Sequence, residues 1–230
     1  MRTFRNLIAI SILMYCGCEH PSPRSLPVTT GARYLALGDS YTCGESVDPA
    51  DRWPMQLARK LREQQLAIAD PEIIATTGWT TDELSAGIDR DNPRGPYALV
   101  SLLIGVNNQF RGRSIDEYRE QFAALLRRSI ALADGKSSHV VVLSIPDWGV
   151  TPFAQGRDRT QIGRDIDAFD SVCREESAKQ NVSFVDITPM SKHAADDRSL
   201  VADDGLHPSA KMYAMWCEAA LPAAKAALTR

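Results

Sequence analysis

Directly after the apolar run Tyr34 to Gly38 the chain reads Gly38-Asp39-Ser40-Tyr41-Thr42-Cys43-Gly44-Glu45. A serine on a tight turn leaving a buried strand carries its hydroxyl at the sheet edge, as a nucleophile requires. The plainer account is that Asp39 or Ser40 caps the next helix. A Gly-Asp-Ser triplet taken alone favours that account.

Three further stretches carry groups of the complementary kind. Thr77-Gly78-Trp79 follows a second strand-like run; Gly78 lets the backbone approach a ligand, with its N–H free to meet a developing oxyanion. A glycine serving only a left-handed turn is the competing reading. Gly105-Val106-Asn107-Asn108 follows a third run, and an Asn side chain there can donate to an oxyanion or merely satisfy its own loop. Near the C-terminus lies Asp203-Asp204-Gly205-Leu206-His207-Pro208. A neutral imidazole can take the proton of a serine hydroxyl, and a carboxylate behind it fixes the tautomer. Asp204 and His207 are close enough to meet across one turn; an Asp-Gly turn with an incidental histidine is the alternative. Together the stretches supply a nucleophile, two oxyanion donors and an acid–base pair, in the chain order Ser…Asp…His.

In these blocks the chain resembles the SGNH/GDSL hydrolases. GDSYTCGE is similar to their first block, Gly78 to the second, GVNN to the third and DGLHP to the last. The resemblance runs from Tyr34 to the final helix. It implies that Ser40 is the nucleophile, His207 the general base and Asp204 its orienting partner. It also implies an oxyanion hole formed by the Ser40 and Gly78 N–H groups with the Asn107 side chain. Tyr41 stands where the namesake motif has Leu, and Asn108 where Asp is frequent; neither position supplies a catalytic atom. No GxSxG is present, which argues against the ordinary α/β-hydrolase fold.

Positioning these residues requires an ordered set of elements. Strands are expected at Tyr34–Gly38, Glu72–Thr77, Ala98–Gly105, His139–Ile145 and Val182–Ile187. Helices are expected over Arg52–Leu66, from the Thr80/Glu83 capping box, from the Ser114/Glu117 capping box to about Ala133, and over Arg159–Gln180. A last helix is expected to open at Pro208 and to be kinked or divided by Pro222. Apolar strands without polar alternation imply a parallel sheet covered on both faces. The expected fold is a three-layer α/β/α sandwich with a five-stranded parallel sheet and flavodoxin-like winding, whose ligands sit beyond the strands' carboxyl ends.

Composition narrows the function. The 230 residues carry 44% hydrophobic and 24% charged residues and a net charge of −3, which fit one globular domain and disfavour nucleic acid. Arg2 and Arg5 precede the apolar run Leu7–Tyr15 and then Cys16, Gly17 and Cys18, the pattern of a secretory signal over residues 1–18. Either Cys16 or Cys18, with Cys18 preferred, is a candidate lipid-bearing residue, so the protein is expected to be exported, periplasmic or tethered to a membrane. Residues 19–32, rich in Pro, Ser and Thr, read as a flexible linker, and residues 33–230 as the hydrolase domain. Cys43, Cys173 and Cys217 remain, an odd number whose pairing stays open. With four His, no CxxC and no HExxH, no metal or other cofactor is expected. His139 and His193 read as structural and solvated; Trp148 and Phe153 serve either a substrate pocket or plain packing.

The expected activity is hydrolysis of a small acyl ester through a Ser40 acyl-enzyme. Thioester, lysophospholipid and acetylated-carbohydrate substrates would use the same residues, as would acyl transfer to an alcohol. A non-catalytic, ligand-binding surface lipoprotein is the reading from a different class, and the intact set of five site residues speaks against it.

Overall fold

A computed structural model describes residues 27–229. The expected signal segment, with Cys16 and Cys18, lies outside the described residues. Of the expected linker only residues 27–32 are described. Val28 N–H donates to Asp70 and Ala32 N–H to the Ala67 carbonyl, so this stretch joins the domain ahead of Arg33.

Five strands form one parallel sheet: β1 (Tyr34–Gly38), β2 (Glu72–Ala75), β3 (Leu99–Leu103), β4 (Val140–Leu143) and β5 (Ser183–Val185). Their order is β2-β1-β3-β4-β5. Every residue of β1, β3 and β4 is buried, the expected result for apolar runs covered on both faces. Helices α2 (Trp53–Glu63) and α8 (Ala210–Thr229) pack together on one face, and α3 (Thr81–Asp91), α5 (Ile115–Leu132) and α6 (Arg159–Lys179) pack on the other. Short α1 (Ser40–Cys43), α4 (Val106–Phe110) and α7 (Thr188–Ser191) sit just beyond strand ends. The architecture is the three-layer α/β/α sandwich with flavodoxin-like winding that the pattern predicts.

Register decides what the fold positions. Gly38 of β1 lies level with Ala75 of β2 and Leu103 of β3, so these strands end on one line. Ser40, Gly78 and Asn107 follow that line by two, three and four residues. Winding also reverses between β1 and β3, which opens a crevice at their carboxyl ends.

Two features of α8 differ from expectation, its start and its continuity: it is not divided at Pro222. Pro208 is not its first residue: Val201 bridges Pro208, and Ala202 N–H donates to the His207 carbonyl, which holds Pro208 in a short hairpin. The helix begins at Ala210 and runs unbroken through Pro222. A proline removes one backbone hydrogen bond. Here the buried stripe Met212, Tyr213, Trp216, Ala220, Ala224 and Ala227 holds the helix against the domain on both sides of it.

Candidate active site

The turn after β1 sorts its polar residues into two jobs. Asp39 is the N-cap of α1, its carboxylate accepting from Tyr41 N–H at 3.0 Å. Capping therefore falls to Asp39, and Ser40, at the first helical position, is released from it. A first-turn N–H has no acceptor within its own helix, and among the described residues Ser40 N–H donates to nothing. Gly38 is required because a Cβ there would lie 2.4 Å from the Leu103 carbonyl oxygen. Full burial pushes the Asp39 carboxyl up to about 7, against the hydrogen bond it accepts from Tyr41 N–H.

Beyond β2, Gly78 adopts φ +89, a left-handed conformation that only glycine takes without strain. Its N–H is also undonated among the described residues. Four contacts fix this turn. Asn107 Nδ2 donates to the Trp79 carbonyl at 2.9 Å, and Arg111 donates to the Gly78 carbonyl at 2.5 Å while pairing with Glu83 at 3.2 Å. Thr80 N–H donates to Glu83 Oε2 at 2.8 Å in the expected capping box of α3. An Asn amide carries two N–H groups; one holds Trp79, and the second is left for the cleft. Asn108 points the other way and is fully buried, donating to Thr81 Oγ1 at 2.8 Å and accepting Thr81 N–H at 3.1 Å. It clamps the β3 loop to the start of α3.

The Asp204–His207 pair is built by an Asx turn. Asp204 Oδ1 accepts the N–H groups of Leu206 and His207, each at 2.9 Å. His207 Nδ1 lies 2.6 Å from Asp204 Oδ2, which also accepts the Ser46 hydroxyl at 2.6 Å. Burial opposes the charge on Asp204, but these donors from Ser46, His207 and the backbone outweigh it and hold the carboxyl down at about 2. An ionised carboxylate at this distance keeps the proton on Nδ1, so Nε2 is the ring's acceptor. Tyr41, edge-on to the imidazole at 5.7 Å between centroids and packed in turn on Trp216, walls the ring in.

Ser40, Gly78, Asn107 and His207 line one cleft of about 170 Å³, with Tyr41, Thr77, Phe110, Trp148, Phe153 and Leu206. The fifth residue singled out in the sequence, Asp204, stands behind His207. Trp148 and Phe153 both reach the cleft wall. Trp148 is also packed, its Nε1 donating to Gln109 at 2.9 Å. The sequence reading did not single out Ser46 or Phe110, and it assigned Tyr41, Arg111 and Asn108 no part in shaping the site. Among the described residues Cys43, Cys173 and Cys217 form no disulfide, and burial pushes each thiol up. Neither His139 nor His193 lines the cleft.

Known structures of low sequence identity share this fold. An esterase from Pseudoalteromonas sp., EstA, solved with monoethylphosphonate as inhibitor, is 20% identical with a TM-score of 0.63; the match covers 86% of this chain and 100% of that one. An acetylxylan esterase from Geobacillus stearothermophilus is 19% identical, TM-score 0.64, covering 86% and 96%. A lipase/acylhydrolase from Enterococcus faecalis is 20% identical, TM-score 0.65, covering 86% and 97%. No curated protein matches the chain. The model of the GDSL-like lipase/acylhydrolase family matches residues 36–215, a span that includes every residue lining the cleft, and the chain belongs to that family.

Proposed function

We propose that the protein is a serine esterase that cleaves a small carboxylic ester through a Ser40 acyl-enzyme. The observation that carries this reading is the Asp204–His207 pair at a cleft that also holds Ser40 and two backbone N–H groups undonated among the described residues. His207 Nε2 takes the Ser40 hydroxyl proton as Oγ bonds to the ester carbon. The carbonyl oxygen becomes an oxyanion facing the Ser40 and Gly78 N–H groups and the second N–H of Asn107. Collapse breaks the bond to the alcohol, which leaves with the proton from His207. Water, deprotonated by the same imidazole, then frees the acid and restores Ser40. Asp204, ionised throughout, holds the ring's tautomer and balances the imidazolium.

Deacetylation of a carbohydrate is the favoured second reading, because a cleft of about 170 Å³ suits an acetyl group and a fold neighbour is an acetylxylan esterase. Export, with a lipid on Cys18 or Cys16 tethering the domain to a membrane, completes the proposal. The deciding experiment treats purified protein with an organophosphonate probe and a panel of acyl esters, with and without added acceptor alcohols. Labelling of Ser40 with release of free acid supports hydrolysis. Esters of the added alcohol in place of acid would indicate transfer. Ligand binding with neither labelling nor turnover would leave a non-catalytic protein.

A further inference from the structure

At the outer rim of the cleft, Phe110, Trp148 and Phe153 form a closed triangle of rings, with centroids 5.4, 6.0 and 6.2 Å apart. Phe110 and Phe153 are 46% and 41% exposed and are the large hydrophobic residues left open to solvent among those described. The triangle is anchored to both halves of the site. Phe110 ends α4, which carries Asn107, and Phe153 N–H donates to the Gly205 carbonyl at 3.0 Å in the Asp204–His207 turn. Trp148 is fixed to α4 through Gln109.

Over this triangle lies one cation. The Arg157 guanidinium carbon is 5.2, 5.4 and 5.2 Å from the centroids of Phe110, Trp148 and Phe153. No ion pair among the described residues involves Arg157. Arg111, by contrast, has its donors committed to Gly78 and Glu83. Ring faces hold a guanidinium by attraction to their quadrupoles without neutralising it. They also displace water from one side of it, which strengthens its attraction for an anion. Five N–H donors in a planar fork match a carboxylate or phosphate in particular.

We infer that Phe110, Trp148, Phe153 and Arg157 form a subsite for the anionic end of an ester substrate, its carboxylate or phosphate meeting the guanidinium that the three rings hold at the rim of the cleft. The inference rests on the esterase reading for the position of the scissile bond, and its test separates the two. One measurement is binding to the Ser40→Ala protein, followed by tryptophan fluorescence, of 4-phenylbutyrate, phenyl phosphate and the neutral 4-phenylbutyramide. The other is kcat/KM of the wild type on p-nitrophenyl hemiglutarate against p-nitrophenyl valerate, and on lysophosphatidate against monoacylglycerol.

Both anions should bind about tenfold more tightly than the amide at low salt, the scale of a hydrogen bond to a charged group reduced by exposure. The advantage should shrink as salt rises. The ester pairs identify the natural anion: a gain on the hemiglutarate places a carboxylate in the acyl part, a gain on lysophosphatidate a phosphate in the alcohol part. Arg157→Gln should bring the anion-to-neutral ratio close to one, and Arg157→Lys should keep most of it. Equal binding of anion and amide by the Ser40→Ala protein, or a ratio unchanged in Arg157→Gln, would overturn the subsite. Anion-selective binding without turnover of any ester would overturn the esterase reading and leave the subsite standing.

Discussion

Ser46 Oγ lies 2.6 Å from Asp204 Oδ2, the same oxygen that faces His207 Nδ1. The two residues are 158 positions apart, and Ser46 reaches Asp204 from a left-handed backbone conformation, φ 63. A non-glycine residue held there costs roughly 1–2 kcal/mol, so the turn carries local strain while its hydroxyl serves the carboxylate. The bond fills the last acceptor site facing the loop and leaves Asp204 one orientation toward the imidazole.

Replacing Ser46 by Gly should therefore separate stability from activity. Glycine relieves the strain while adding a similar entropy cost to folding, roughly 0.5–1 kcal/mol, so Tm should stay within a few degrees. Turnover should fall about tenfold, the scale of one hydrogen bond to a charged, partly exposed group. The sign of the pH effect follows from a carboxyl held below its ordinary range. Losing a donor raises the pH at which Asp204 protonates, so the stability its ionised carboxylate contributes, which is lost as pH falls toward about 2, should be smaller in the variant and its Tm profile flatter in acid. A Tm that collapses together with kcat, with the acid profile of Tm unchanged in shape, would make the hydroxyl a structural brace only.

Ser40→Ala should remove organophosphonate labelling and lower ester turnover by roughly 10⁶. Labelling can be followed by mass spectrometry of the modified peptide. Turnover near the wild-type rate would assign the nucleophile elsewhere.

Asn107 has two tasks, and its variants should show both. Losing one oxyanion donor lowers kcat by roughly 10²–10³, with KM little changed because the bond strengthens in the transition state. Asn107→Ala also frees the Trp79 carbonyl and with it the Gly78 turn, so its loss should sit at the upper end. Asn107→Asp, which cannot donate and places a negative charge beside the oxyanion, should be worse still. Unchanged kcat with a large rise in KM would make Asn107 a ground-state binding residue.

Much of this arrangement was legible because its signals are local. The run YLALG is β1 residue for residue, and the five strands follow from apolar runs too short and too unbroken for exposed helices. The Asp204–His207 pair is readable because its members lie three positions apart. Ser46 is not readable: no spacing rule connects it to Asp204, 158 positions on, and only the tertiary fold brings the turn after α1 against the turn before α8. The roles of Arg111 and Asn108 are hidden for a similar reason, since their partners, Gly78 in the turn after β2 and Thr81 and Glu83 in α3, lie far from them in the chain. The start of α8 is not readable because proline suits a first helical turn and an extended hairpin equally, and tertiary pairing with Val201 selects the hairpin.

Asp39 offers a test of pH-dependent stability. Its carboxyl titrates near 7 in the folded protein and near 3.9 unfolded. The folded state then binds a proton more tightly, so the group's contribution is present below the unfolded value and is lost as pH rises to about 7. Asp39→Asn keeps an acceptor for Tyr41 N–H and cannot ionise. Its Tm should match or fall below wild type near pH 4 and exceed it near pH 8, measured by thermal unfolding across that range. Parallel Tm curves would show that Asp39 does not change its charge on folding.

The size and rim of the cleft limit acyl length. A lipase working on aggregated long chains needs a broad apolar groove, whereas pockets for drug-sized ligands already occupy roughly 300–1,000 Å³. The cleft beside Ser40 holds about 170 Å³. Its outer wall is the Phe110–Trp148–Phe153 triangle, but Arg157 lies over those rings and would have to give up its contacts before an alkyl chain could cross them. Beyond Phe153 the chain continues as Gln155, Gly156, Arg157, Asp158 and Arg159, all exposed, which is a solvent-facing rim rather than a greasy lid. Among neutral esters, p-nitrophenyl acetate or butyrate should therefore show a higher kcat/KM than the palmitate, with no jump in rate at the substrate's critical micelle concentration. Arg157→Ala should narrow that gap by opening the ring faces to longer chains. A rate that climbs with chain length in the wild type and rises further above the micelle threshold would mean that the aromatic triangle is the floor of an acyl channel which Arg157 does not close.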